Sequence, residues 1–258
     1  MGILNVTPDS FFDKGKFLQH NAAIEQGKKL IADGADIIDI GGESTRPGAM
    51  PVTENEEMAR VIPIISALRK LTSIPISIDT RHPKVVAEAL SSGATMINDV
   101  SGFSNPEMVE IAADAKIPIC VMHMKGSPQT MQQNTDYPNG IVEFLMNWFE
   151  QRIDDLMKHG IKKEHIILDP GIGFGKTVAD NFKIIQNRQR FKSLGFPLLY
   201  GISRKSFMGK TVQKNAEDLL PATVAINTLL ILDDVDIIRV HDVAAHHDAR
   251  TLIEQLRY

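Results

Sequence analysis

HIILDPGIGFGKTVADNFKIIQNRQRFKSLGFPLLYGIS (165–203) carries the alternation that decides the fold. A run of Ile and Leu ends in Asp-Pro-Gly, a segment of helical period follows over 179–193, and PLLYGIS (197–203) opens a second apolar run. Near-continuous apolar strands belong to a parallel sheet covered on both faces, and parallel neighbours need a helical crossover between them. The segment therefore reads as strand, long loop, helix and strand.

Outward from this unit the same pattern recurs along the chain. The apolar runs are GILNV (2–6), DIIDIGG (36–42), IPISID (74–79), TMIND (95–99), IPICVMH (117–123), HIILDPG (165–171), PLLYGIS (197–203) and DIIRVHD (236–242). Helices are expected near 21–33, 54–71, 83–92, 106–115, 140–159, 179–193, 217–232 and 244–256. In 54–71, Met58, Val61, Ile62, Ile65 and Leu68 recur at three- and four-residue steps and form one apolar stripe. Eight such units in 258 residues predict an α/β protein, a single (β/α)8 TIM barrel over 1–258. A doubly wound open sheet is the alternative. It lacks support, because no glycine-rich dinucleotide fingerprint follows the first strand and no composition break marks a second domain.

Composition narrows the function. With 28 Lys+Arg against 32 Asp+Glu the net charge is −4, so there is no electrostatic footprint for a nucleic-acid backbone. The single cysteine, Cys120, excludes an internal disulfide framework and a multi-thiolate zinc site. No run approaches the roughly 20 apolar residues of a membrane span, and no signal-peptide pattern opens the chain. A soluble, cytoplasmic protein is expected.

Polar, ionisable and glycine residues crowd the carboxyl ends of the strands, the rim where barrel active sites are built. Asp79, Asn98 and Asp169 end strands three, four and six. A flat heterocycle with adjacent N–H groups asks for just such carboxylate and amide partners, although each residue has an alternative role as a helix cap. GISRKSF (201–207) and IIRVHD (237–242) place Lys205, Ser206, Arg239 and His241 after the last two strands. Arg239 and His241 share a strand face, and inward cationic or hydrogen-bonding groups imply an anion or a buried acid such as Asp79 or Asp169. Asn5 with Thr7, and GGESTRPG (41–48) with its Arg46, add donors around the same mouth. DPGIGFGKT (169–177) does not match the spacing of a phosphate-binding P-loop. His20, His82, His159, His246 and His247 read as surface residues, so no histidine metal site is expected. The loops near 7–20, 43–53, 124–139 and 170–178 are long enough to serve as lids or binding loops.

Seven segments together resemble the dihydropteroate synthase family of the folate pathway, the target class of sulfonamides. They are MGILNVTPDSF (1–11), DIIDIGGESTRPGA (36–49), ISIDT (76–80), INDVSG (97–102), LDPGIGFGK (168–176), GISRKSF (201–207) and RVHDV (239–243). They occur in family order, one per strand end, over nearly the whole chain. The resemblance implies a transferase that joins 6-hydroxymethyl-7,8-dihydropterin diphosphate to 4-aminobenzoate, releasing pyrophosphate and 7,8-dihydropteroate, with Mg²⁺ assisting. It puts the pterin ring among Asp79, Asn98, Asp169 and Lys205, lined by Met122 and Phe174, with Arg239 stacked on the ring and reaching the diphosphate. Asn5, Thr45, Arg239 and His241 would form the anion pocket, with Asn5 on the metal. The aminobenzoate would lie nearer the surface beside Ser206 and the loops carrying Asp9 and Arg46. Asp79, Lys205, Arg239 and His241 would carry the catalysis, and the family suggests a homodimer. One departure is clear: where the family reads Ser-Phe-Ser-Asp-Gly-Gly, this chain has Ser10-Phe11-Phe12-Asp13-Lys14-Gly15, adding bulk and charge to a lid.

Two rival readings share part of this pattern. A pterin-binding barrel that passes a methyl group from methyltetrahydrofolate to a corrinoid would use the Asp/Asn/Asp ring contacts, but has no need of GISRKSF and RVHD around a diphosphate. A non-catalytic sensor barrel would retain the pocket, yet here every polar position expected of an enzyme is filled.

Overall fold

The computed structural model describes residues 1–7, 16–46 and 48–256. In chain order the elements are β1 (Gly2–Asn5), α1 (Lys16–Ala32), β2 (Ile38–Gly41), α2 (Glu54–Arg69), β3 (Ile76–Asp79), α3 (Pro83–Ser91), β4 (Met96–Asp99), α4 (Pro106–Ala115) and β5 (Ile119–Met122). They continue with α5 (Ile141–Lys158), β6 (Ile166–Asp169), α6 (Val178–Gln186), α7 (Arg188–Lys192), β7 (Leu199–Tyr200), α8 (Ser206–Val212), α9 (Leu220–Leu232), β8 (Ile237–Ile238) and α10 (Val243–Leu256).

Strands β1 to β6 pair side by side in chain order, every pair parallel, and β7 pairs with β8. Single parallel bridges join the two groups at Leu168–Leu198 and Gly2–Val240. There the Leu168 amide donates to the Pro197 carbonyl and the Ile3 amide to the Val240 carbonyl, both at 2.9 Å. The ring is thereby closed, as expected for a (β/α)8 barrel.

Local sequence sets the helix starts. Thr53 and Glu56 form a reciprocal capping box at α2, as do Thr177 and Asp180 at α6. Pro83 and Pro106 occupy first-turn positions of α3 and α4, where the missing N–H costs nothing. The expected helix over 179–193 is broken into α6 and α7 at Asn187, whose side-chain amide donates to the Lys183 carbonyl at 2.8 Å. A short extra helix, α8, follows GISRK, and α1 begins at Lys16, earlier than the periodicity implied.

The interior is layered. Met1, Met96, Cys120, Ile167 and Leu199 pack together low in the barrel with Ile37 and Ile237 against them. Side chains two residues apart share a strand face, so Asp39, Asn98, Met122, Asp169 and Arg239 stand one step higher. An apolar floor thus carries a polar mouth. Outside the ring, Val61, Ile64, Ile65 and Leu68 of α2 are fully buried, together with Glu57, which the apolar stripe did not include.

Candidate active site

Of the three strand-end residues expected to serve either a ring or a helix cap, none caps. His82, Asn105 and Thr177 occupy the N-caps of the following helices. Asp79 and Asp169 instead end their strands at the mouth, and Asn98 stands one residue before the end of β4. Asp169 Oδ1 accepts the Gly171 amide at 2.8 Å, which turns the chain out of β6.

Arg239 occupies the centre of the mouth. Its Nη2 donates to Asp79 Oδ2 at 2.6 Å and its Nε to Asp39 Oδ2 at 2.5 Å. Asn98 Nδ2 donates to the same Asp39 oxygen at 3.1 Å. Burial pushes the Asp79 carboxyl up to about 7, with Asp39, Asp99 and Asp169 adding to the rise and Arg239 opposing it. Burial opposes the Arg239 charge, but Asp39 and Asp79 hold the guanidinium above its ordinary value. The second oxygens of Asp39 and Asp79 are buried without a protein hydrogen-bond partner. An unpartnered buried acceptor costs free energy, and Asp79 Oδ1 is therefore ready to accept from a ligand N–H. Gly41 and Gly201 border the same space: a Cβ at Gly41 would sit in ordinary contact 3.5 Å from the Asp79 Cβ, and one at Gly201 3.8 Å from Arg239.

Lys205 reaches in from the loop after β7. Its Nζ donates to the Ile172 carbonyl and lies 4.6 Å from the centroid of the Phe174 ring. Burial lowers its pKa to about 8, with Asp169 and Asp79 opposing. Met122, 3 % exposed, is the register partner of Asp169. Asp79, Asn98, Met122, Asp169, Phe174, Lys205 and Arg239 are thus brought around one opening.

His241 lies beside it. Ser203 Oγ accepts the His241 amide at 3.2 Å and lies 2.9 Å from Nδ1. Burial first, then Arg239, Arg204 and Arg46, lower the His241 pKa to about 4. The ring is therefore neutral at pH 7. Arg46 is exposed, Thr45 and Asn5 are half-buried, and Ser206 is exposed at the start of α8. Asp9 lies outside the described residues, as do Phe12 and Lys14.

The loops interlock around the mouth. Gln129 Nε2 donates to the Ala49 carbonyl at 3.1 Å, Gln132 Nε2 to Gly173 at 2.9 Å and Tyr137 Oη to Gly175 at 2.8 Å. Arg81 holds Glu43 through two bonds of 2.9 and 3.0 Å, tying the loop after β2 to the end of β3.

Sequence reasoning missed Asp39, Lys176 and the Glu57 cluster. Asp39 interrupts an isoleucine run, and a lone acid in a strand buried on both faces needs a partner, which was its available signal. Of the five histidines expected at the surface His159 alone is exposed, His20, His82 and His247 being half-buried and His246 buried. His246 is 3 % exposed, its Nδ1 lying 2.7 Å from the Asp242 carbonyl, because this turn of α10 packs inward. His82 is half-buried, 3.7 Å from Glu43 and 3.9 Å from Glu57. Cys120 is buried and its thiol pushed up by desolvation, so it is no nucleophile. Among the described residues no group of three or more His, Cys, Asp or Glu is placed to hold a metal, and no helix is long and apolar enough to cross a membrane.

A closed barrel whose mouth combines buried carboxylates, an amide and cationic groups defines an enzyme that grips a flat hydrogen-bonding ring together with an anion. The family described as pterin binding enzyme matches residues 1–241. The chain is 49% identical to the dihydropteroate synthase of Synechocystis, covering 95% of this chain and 85% of that one. It is similar to the Yersinia pestis dihydropteroate synthase solved with a sulfonamide drug complex, with TM-score 0.94 at 38% identity, covering 100% of this chain and 93% of that one. The Xanthomonas albilineans dihydropteroate synthase in complex with 7,8-dihydropteroate gives TM-score 0.90 at 37% identity, covering 100% and 92%. This chain belongs to the pterin binding enzymes and, among them, to the dihydropteroate synthases.

Proposed function

We propose that the chain joins 6-hydroxymethyl-7,8-dihydropterin diphosphate to 4-aminobenzoate, forming 7,8-dihydropteroate and pyrophosphate, and that the mouth residues divide the work. The observation that carries this division is the pairing of a buried, unpartnered Asp79 Oδ1 with the Arg239 guanidinium beside it. A pterin bearing a diphosphate needs both an N–H acceptor and a cation, side by side.

Asp79, Asn98 and Asp169 accept from and donate to the ring edge, while Met122 and Phe174 line the slot. Lys205 supplies a further donor, and Arg239 lies against the ring and reaches the diphosphate. Thr45 and His241 add neutral donors to the anion, and Arg46 brings positive charge close to His241. Charge that develops on the leaving diphosphate is met by donors already oriented toward it, so the pocket favours the transition state over the bound substrate. As the carbon–oxygen bond breaks, anionic Asp79 stabilises the cation left on the pterin methylene. The arylamine then attacks that carbon and loses a proton, so no protein nucleophile is required. Ser206 and Arg46 border the aminobenzoate, and the same border would accept sulfonamides.

Magnesium fits this donor set in one way. Asn5 offers a single neutral oxygen at the end of β1, suited to an ion that keeps its waters and takes its other ligands from a diphosphate. Asn5 would hold that ion, which when bound neutralises charge on the leaving group. A homodimer and a cytoplasmic location complete the proposal on family resemblance.

The test is product formation. Purified protein given the pterin diphosphate, 4-aminobenzoate and Mg²⁺ should yield a species with the mass of dihydropteroate, and its absence from folded protein would overturn the reading.

A further inference from the structure

Lys176 has no part in the chemistry above, yet it is the lysine that the fold encloses most completely among the described residues, at 3 % exposure. It closes the loop after β6. Its Nζ lies 3.0 Å from His123 Nδ1, 3.2 Å from the His123 carbonyl and 3.0 Å from the Phe174 carbonyl. Those three acceptors match the three protons of an ammonium and favour the charged form, against burial that lowers the Lys176 pKa to about 7 with Asp169 opposing.

The surroundings make this arrangement rigid. His123 ends the β5 segment, its amide donating to the Asp169 carbonyl at 3.1 Å. Trp148, Phe144 and Tyr137 pack edge-on around its ring, with centroids at 5.0, 5.4 and 6.4 Å. Burial, with Lys176 and Lys125 adding, lowers the His123 pKa to about 2, so its ring is neutral and Nδ1 is free to accept. Gly171, at φ +69, lies so close beneath that a Cβ there would come within 2.0 Å of the His123 carbonyl. Between Gly171 and Lys176 the chain folds back, with the Phe174 amide donating to Gly171 at 3.1 Å.

We infer that Lys176 is a positioning residue for the arylamine: its ammonium ties the Phe174 carbonyl to the end of β5, and so fixes the Phe174 ring against Lys205 at the outer side of the pterin slot. The inference rests on the synthase reading and extends it. Lys176 touches no substrate in this arrangement. It acts through Phe174, whose half-buried ring borders the rim where Lys205 is followed by Ser206. An ammonium suits the task because it holds three carbonyl or imidazole acceptors in a space closed to water, and a water-filled gap there would let Phe174 swing away.

Steady-state kinetics of wild type, Lys176→Met, Phe174→Ala and the double variant test this directly. Lys176→Met should raise KM for 4-aminobenzoate about tenfold and change kcat by less than about threefold. Phe174→Ala should raise KM for 4-aminobenzoate at least as much, together with the loss of pterin affinity that follows from opening the slot, and the double variant should be no worse than Phe174→Ala alone, because Lys176 acts only through Phe174. Losses that multiply in the double variant, or wild-type KM in folded Lys176→Met, would overturn the inference. Should Lys176→Met fail to melt cooperatively, Lys176→Gln keeps an amide donor for the Phe174 carbonyl. It should raise KM by an intermediate factor, and an unchanged KM would again overturn the inference. Amide exchange of residues 171–175 gives a readout independent of turnover, and it should quicken in Lys176→Gln. A wild-type protein that makes no dihydropteroate would sink the synthase reading, while unchanged exchange in Lys176→Gln would sink the Lys176 inference by itself.

Discussion

Arg239 Nη2 donates to Asp79 Oδ2 at 2.6 Å, joining the last strand to the third across the barrel mouth. The residue proposed to hold the diphosphate thereby neutralises the carboxylate proposed to hold the pterin. Asp39, below them, takes the Arg239 Nε and the Asn98 amide on one oxygen. Removing the guanidinium would take from two buried carboxylates their hydrogen-bonded counter-charge, so the ring-binding and anion-binding halves of the site are electrostatically one unit.

That coupling sets the pH profile. Asp79 is held up to about 7, so it gains its charge only as pH rises through that value. Lys205 is lowered to about 8, so it loses its charge above that pH. The expected kcat/KM profile is a narrow bell between these limbs, which belong to the coupled cluster as a whole. Asp79→Asn should flatten the acidic limb and Lys205→Ala the alkaline one, each lowering turnover at least tenfold, about 1.4 kcal/mol of barrier. Wild-type turnover in both variants would remove these residues from the mechanism.

His241 is neutral at pH 7, its pKa lowered to about 4. His241→Ala should weaken pyrophosphate binding about tenfold while leaving the bare pterin nearly unaffected, and the ratio should be constant from pH 5.5 to 8. Calorimetry across that range checks it. A contribution that grows as pH falls would show that the ring binds as a cation.

Glu57 offers a stability test away from the chemistry. Its carboxyl accepts from Thr80 Oγ1 at 3.0 Å, and burial, helped by Glu43 and Asp79, raises its pKa to about 8. The folded state therefore keeps a proton that the unfolded chain releases above its ordinary pKa near 4.5, and stability falls as pH rises from about 4.5 to 8. Glu57→Gln retains the acceptor for Thr80 and removes this loss. It should leave the melting temperature unchanged at pH 4 and raise stability by about 4 kcal/mol at pH 8. Equal curves at both pH values would contradict the assignment.

Gly171 is required twice over, by its positive φ and by the closeness of the His123 carbonyl. Gly171→Ala should cost about 3 kcal/mol or more in thermal unfolding, because the obstacle is backbone on a strand end and cannot move aside. A near-neutral result would mean that the loop after β6 is free to shift.

Much of this was legible in the sequence for a physical reason. Parallel strands buried on both faces leave polar residues few places to stand except their carboxyl ends, so Asp79, Asn98, Asp169, Arg239 and His241 were visible as interruptions at the close of apolar runs. Asp39 was harder to see, since it sits inside such a run and its partner Arg239 is 200 residues away. Lys176 lay in a glycine-rich segment judged only against phosphate-loop spacing, which said nothing of a lysine folding back on His123. The break at Asn187 and the seven-residue α8 were too local to disturb a helical period. His82 and His246 looked exposed because a histidine is compatible with either side of an amphipathic helix until its packing partners are known.

The most direct test of the two-part site is calorimetry of Asp79→Asn with two ligands, bare 6-hydroxymethyl-7,8-dihydropterin and pyrophosphate with Mg²⁺. The substitution replaces one of the two acceptor oxygens by an NH2 donor, removes the carboxylate charge that favours the ring N–H groups, and releases Arg239 from one of its two carboxylates. Pterin affinity should fall at least tenfold, about 1.4 kcal/mol, while pyrophosphate affinity stays equal to wild type or becomes tighter. If both affinities fall together, Asp79 and Arg239 do not divide ring from anion as proposed here.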